Sequence, residues 1–196
     1  MNLVAISQRT DFYPGRDEIR DGLDQRLCEW LVEAGYLCVP VPNGLGSNGL
    51  RVWLSSVGPA AIVLSGGNNI GESIERDNIE RQMLAYAEEH TLPVLGVCRG
   101  MQMMGLWAGA KLIPVQGHTR TRHELSGELS GEVNSFHDYS LDVCPDGFKV
   151  TAMADDGCIE AIRHDYLPWE GWMWHPEREA SFLPRDIKAL QILFDA

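Results

Sequence analysis

The chain has 196 residues, 44% of them hydrophobic and 22% charged, with a formal net charge of -12. Such a length and balance suit a single catalytic domain over 1–196 with a large core, and exclude a disordered segment or a coiled coil. The acidic excess disfavours a nucleic-acid partner, and no apolar run approaches the roughly 18 residues that would span a membrane.

Strands and helices are expected to alternate through the first half. Leu3-Val-Ala-Ile6 reads as a short buried strand. From Asp17, Ile19, Leu23, Leu27, Trp30, Leu31 and Ala34 recur at helical spacing, and Gly35 ends that helix. Leu37–Pro40 is the next strand, Asn43–Gly49 a flexible loop, and Ala60–Leu64 an apolar central strand. A helix from about Asp77 to Glu89 precedes the strand Val94–Val97, and another helix runs from Arg99 towards Ala108. This order implies an α/β fold with an open, mostly parallel sheet and helices on both faces.

Beyond Ala110 the pieces Leu112–Val115, Leu141–Cys144, Phe148–Ala152 and Ile159–Ile162 suggest an antiparallel extension, before a final strand and a C-terminal helix. Between them, 117–132 reads as a polar loop carrying His118, Arg120, Arg122 and His123, either solvated surface or a lid. The N-terminus lacks the basic start and cleavage site of a signal peptide. The five cysteines are odd in number and include no C-x-x-C pair, so neither a disulfide framework nor a zinc site is suggested. A cytoplasmic location is expected, without cofactor, metal or membrane partner.

The chemistry gathers at Cys98. Gly96-Val97-Cys98-Arg99-Gly100 has the form of a nucleophile elbow with cysteine in place of serine, and small neighbours let strand and helix approach closely. The N-terminus of the following helix would favour a thiolate. A thiol also needs a base. His175, in Trp174-His175-Pro176-Glu177, ends an apolar segment, and an extended backbone would set the Glu177 carboxylate beside its ring. Cys98, His175 and Glu177 are therefore the expected catalytic triad.

With Ser65-Gly66-Gly67-Asn68 and Val133-Asn134-Ser135-Phe136-His137, these motifs resemble the class I glutamine amidotransferase-like family, whose triad is Cys, His and Glu. The resemblance implies a flavodoxin-like sheet and attack by Cys98 on a γ-glutamyl carbonyl. It also implies an oxyanion hole from the backbone amides of Gly67 and Arg99. Gln102 and the stretch Asn134, Ser135, Phe136 and His137 match positions holding the glutamyl group, and Arg76 and His123 complete the expected substrate-binding set.

Within the family, subunits that supply ammonia usually carry Leu or Tyr after the cysteine, whereas Arg99 and the Arg76-Asp77…Glu80 pattern resemble its γ-glutamyl hydrolases. No attached synthetase domain is read in these residues, so a free-standing hydrolase of a small γ-glutamyl substrate is expected; a homodimer is compatible with the sequence. The short interval from Asn68 to Glu75 resembles the γ-glutamyl-CDP-amidate hydrolases more than the longer γ-glutamyl-γ-aminobutyrate hydrolases. His118, Arg120, Arg122, His123 and Arg178 are the basic groups expected to meet a diphosphate.

Overall fold

Five parallel strands set the frame of the molecule. The computed structural model describes residues 1–195, with every side chain among them except that of Ser47. In chain order the strands are β1 (Asn2–Ile6), β2 (Arg9–Tyr13), β3 (Glu18–Gly22), β4 (Tyr36–Pro40), β5 (Ala61–Leu64) and β6 (Val94–Val97). They continue as β7 (Leu112–Pro114), β8 (Thr119–Gly127), β9 (Gly131–Phe136), β10 (Tyr139–Leu141), β11 (Phe148–Ala154), β12 (Ile159–His164) and β13 (Trp169–Trp172). The helices are α1 (Gln25–Glu33), α2 (Gly46–Val57), α3 (Ile74–His90), α4 (Arg99–Trp107) and α5 (Pro184–Phe194).

The main sheet has the order β4-β1-β5-β6-β13-β12-β11-β8-β9, parallel from β4 to β13 and antiparallel beyond. The expected flavodoxin-like sheet with an antiparallel extension is thus present. Alternation along the central strands explains why both faces bury apolar side chains. Ile62 and Leu64 of β5 pack in one core with Leu54, Ile79, Met83 and Met101. Ala61 and Val63 point the other way, into a core with Trp30, Leu31, Trp172, Leu190 and Phe194.

Several expected elements take another form. The helix placed from Asp17 begins only at Gln25, where the Asp24 side chain accepts from Arg26 N at 3.0 Å. Residues 9–22 instead form the β2–β3 hairpin, which leaves Ile19 exposed. The loop expected over 43–49 is a 3-10 turn followed by the start of α2, because Leu50 and Leu54 of that helix enter the core. Tertiary packing there overrides the glycines' poor helix propensity. α3 begins at Ile74, capped by Ser73, three residues before the expected start at Asp77, and the polar stretch 117–132 is mostly the β8–β9 ladder. β7 and β10 pair as a separate small sheet instead of joining the extension. Among the described residues, no helix is long and apolar enough to cross a membrane.

Candidate active site

β6 delivers Cys98 to the carboxyl edge of the parallel strands, the edge where open α/β sheets bind ligands. Its backbone sits at φ 51° and ψ -105°, a left-handed conformation that costs a non-glycine residue about 1–3 kcal/mol. The surroundings enforce it. Cys98 N donates to Trp172 O at 2.7 Å, and α4 begins at the next residue. A Cβ on Gly96 would stand 2.6 Å from the backbone of Gly100 and Met101, so only glycine lets α4 approach β6 this closely.

β13 runs beside β6 and carries the chain to His175, which is 1% exposed. His175 Nδ1 lies 2.6 Å from Glu177 Oε1. The pairing does not arise from an extended strand as expected. Pro176–Arg178 forms one 3-10 turn, closed by Arg178 N donating to His175 O at 3.0 Å, and this turn folds the carboxylate back onto the ring. Arg26 of α1 clamps the same turn, donating to Glu177 O at 2.8 Å and Glu179 O at 2.6 Å. Burial alone would lower the His175 pKa, but the adjacent Cys98 and then Glu177 outweigh it and raise the value to about 9. Both neighbours thus favour the protonated ring over the neutral one.

A cleft of about 190 Å³ opens over the thiol, lined among others by Gly67, Cys98, Arg99, Gln102, Phe136 and His137. The Arg99 amide opens α4 and has no acceptor within the helix. Gly67 holds φ +87° in the loop after β5, and a Cβ on Gly66 would meet His175 Cε1 at 2.6 Å. Phe136 stands edge-on to His175, and Gln102 Nε2 donates to Tyr139 O at 3.0 Å.

The other expected substrate-binding residues lie elsewhere. Arg76 is fully buried, and its guanidinium donates to the carbonyls of Ser65, Gly66 and Gly67 at 2.7–2.9 Å. It therefore splints the glycine loop and has no donor left facing the cleft. Asn134 is engaged with the backbone of His175, and Ser135 Oγ donates to His118 O at 2.5 Å. His123 packs among His118, His137 and Glu160. Arg122 is held by Glu132 and Glu179.

The Arg99 side chain is buried. Its guanidinium turns into α3 and pairs with Asp77 and Glu80, while Glu80 Oε1 accepts from Arg76 Nε at 3.0 Å and from Ser7 Oγ at 2.7 Å. Arg76, Asp77, Glu80 and Arg99 thus form one buried network joining the glycine loop, α3 and the elbow. A residue that sequence reasoning missed is Arg9 of β2. It lines a second cleft of about 310 Å³ that shares Gly67 with the cleft over Cys98 and is also lined by His175, Glu177 and Arg178. Exposed β2 offers no motif, and only the hairpin's fold over the glycine loop, where Asn68 pairs with the Thr10 backbone at 2.9 and 3.1 Å, places Arg9 there.

The fold and these motifs define a class I glutamine amidotransferase domain: the chain belongs to that family, whose class-I model matches residues 18–189. Over 125 residues, 61% of this chain, it is 32% identical to the γ-glutamyl-CDP-amidate hydrolase of Campylobacter jejuni, and the match spans 62% of that relative's length. It is 33% identical over 168 residues to the glutamine-hydrolysing GMP synthase subunit of Methanopyrus kandleri, covering 78% of this chain and 83% of that one. The crystal structure of a Thermoplasma acidophilum protein, assigned there to GMP synthase, superposes with a TM-score of 0.74 over 99% of this chain and 94% of that chain. At 24% identity that likeness is one of fold.

Proposed function

We propose that this chain is a hydrolase of γ-glutamyl amides, with Cys98 as nucleophile, His175 as acid–base and Glu177 as the group that orients it. The observation carrying this reading is the elbow thiol beside a buried imidazole that is itself held 2.6 Å from a buried carboxylate. Cys98 Sγ attacks the γ-carbonyl carbon, and the oxyanion forms against the amides of Gly67 and Arg99. Each such donor is worth roughly 3–4 kcal/mol of barrier. His175 protonates the departing nitrogen, leaving a glutamyl thioester. Water, deprotonated by His175, then attacks the thioester and releases glutamate, returning the Cys98 sulfur and one proton to the Cys98–His175 pair.

The preferred substrate is γ-glutamyl-CDP-amidate, yielding glutamate and cytidine diphosphoramidate. Similarity to the Campylobacter jejuni enzyme supports this, and Arg178 and Arg9 line the adjoining cleft, where a diphosphate would compete with Asp11 for the Arg9 guanidinium that Asp11 holds at 2.7 Å. The test is to supply the purified protein with γ-glutamyl-CDP-amidate, γ-glutamyl-γ-aminobutyrate and glutamine, and to measure glutamate release. Fastest turnover of the first is expected. Preference for the second would replace this substrate, and turnover of glutamine alone, stimulated by a separate synthetase, would replace the hydrolase reading with that of an ammonia-supplying partner protein.

A further inference from the structure

Four side chains outside the triad converge on one point. His118 Nδ1, His123 Nε2, His137 Nε2 and a Glu160 oxygen all lie within 4.8 Å of one another. Glu160 Oε1 is 3.3 Å from His118 Nδ1, 3.3 Å from His137 Nε2 and 3.6 Å from His123 Nε2, and the His118 and His137 nitrogens are 3.3 Å apart. Four ligands at about 2.0 Å from a tetrahedral zinc ion would be separated by about 3.3 Å.

The outer partners turn the rings so that their remaining nitrogens face inward. His118 Nε2 faces Asp156 Oδ2 at 2.8 Å, and His137 Nδ1 faces Tyr139 O at 3.0 Å. Both partners only accept, so each of these outward nitrogens carries its ring's proton. The inward nitrogens face each other and Glu160, the side from which a metal ion would take their lone pairs. Glu160 is 0% exposed, and neither of its oxygens has a hydrogen-bond donor among the described residues. His123 Nε2 is buried and likewise unpartnered. A buried carboxylate left so is costly unless paired or bound to metal.

We propose that His118, His123, His137 and Glu160 form a closed tetrahedral zinc site. Three imidazoles and one carboxylate suit zinc, whereas calcium and magnesium need more oxygen ligands. Asp156 and the Tyr139 carbonyl are the outer partners that fix ring orientation, as zinc-bound histidines require. With four protein ligands the ion is structural. It ties β8, β12 and the segment after β9 together, and His137 also lines the cleft over Cys98. Tyr139 O accepts from both His137 and Gln102, so the ion steadies the rim that faces the thiol.

The test uses the full chain without a histidine tag. Elemental analysis after expression with zinc should find about one zinc per chain, and cobalt(II) replacing it should show the visible absorption of tetrahedral coordination. A chelator should lower the melting temperature and added zinc restore it. Glu160→Gln should lose the ion, and Asp156→Ala, a change at a half-exposed residue, should weaken zinc affinity by about 10–100-fold. A metal-free chain whose melting ignores chelator and zinc would overturn the proposal, as would zinc held equally well by both variants. Each readout is independent of turnover on any substrate.

Discussion

Asn134 and His175 are joined twice: Asn134 Nδ2 donates to His175 O at 2.8 Å, and Asn134 Oδ1 accepts from His175 N at 3.0 Å. One amide side chain thereby supplies both halves of a strand-like bridge to the backbone of the proposed catalytic base. Asn134→Leu keeps the size and removes both bonds. Because misplacing a reacting group by about 1 Å can cost about 100-fold, kcat for glutamate release should fall roughly 10–100-fold with little change in KM. An unchanged kcat would show that the ring is positioned without this residue.

Removing the carboxylate should act differently. In Glu177→Gln the ring loses a charge that raises its pKa, so the alkaline limb of the kcat/KM profile should move to lower pH. The rate should also drop by up to about 10⁴-fold, the scale seen when a triad acid becomes an amide. The pH profile distinguishes this from loss of folding, which would leave the shape of the remaining activity unchanged.

Arg99 is 2% exposed and its partners Asp77 and Glu80 lie in the same buried network. Arg99→Met takes one partner from each of two carboxylates, leaving Glu80 with Arg76 and Ser7 and Asp77 with the Gly71 amide, so urea unfolding should show a loss below the roughly 3–5 kcal/mol of a fully unpaired buried charge, on the order of 1–3 kcal/mol. Adding Glu80→Gln to that variant should recover part of the loss. Additive losses in the double variant would mean that Arg99 and Glu80 do not interact energetically.

The pH dependence of stability follows from His175. Its pKa is about 9 in the folded chain, against about 6.5 for an unfolded histidine. Between these values the folded chain holds a proton that the unfolded chain has released. The stabilisation is therefore complete below about pH 6.5 and is lost as pH rises through about 9. The urea midpoint should decline over this interval, and the decline should be shallower in His175→Asn. Equal declines would locate the effect elsewhere.

Asp186, 4% exposed at the start of α5, is a second site with a clear sign. Burial first, and Glu179 in addition, raise its pKa to about 6, while Arg185 opposes the rise. Holding it ionised at neutral pH therefore costs stability, on the order of 1–3 kcal/mol. Asp186→Asn should raise the urea midpoint at pH 7.5 and have no benefit near pH 4. A lower midpoint at pH 7.5 would show that the carboxylate is a net stabiliser.

The parts of the site that were legible in the sequence are those held by local geometry. Gly96 to Gly100 encode the elbow because only glycine tolerates the helix against the strand, and His175 and Glu177 lie close enough in the chain to meet through one turn. The parallel strands β5 and β6 were legible for a similar reason, since burial on both faces demands a continuous apolar run. The polar strands β8 and β9 were not, because their outward residues carry no hydrophobic alternation.

His118 and His123 show where sequence reading stops. Five residues apart, they would lie on opposite faces of a regular strand. Between Thr119 and Thr121 the ladder with β9 shifts by one residue, and Arg120 takes φ 56°. That bulge reverses the alternation and brings both rings to one side, where β12 adds Glu160. The sequence by itself determined the sheet's parallel core, the elbow thiol and its histidine–carboxylate pair, because neighbours along the chain enforce them. Only the tertiary structure decided that Arg76 and Arg99 serve one buried network, that Asn134 holds His175, and that three histidines surround Glu160, because those contacts depend on strand register and on helices that meet across the sheet.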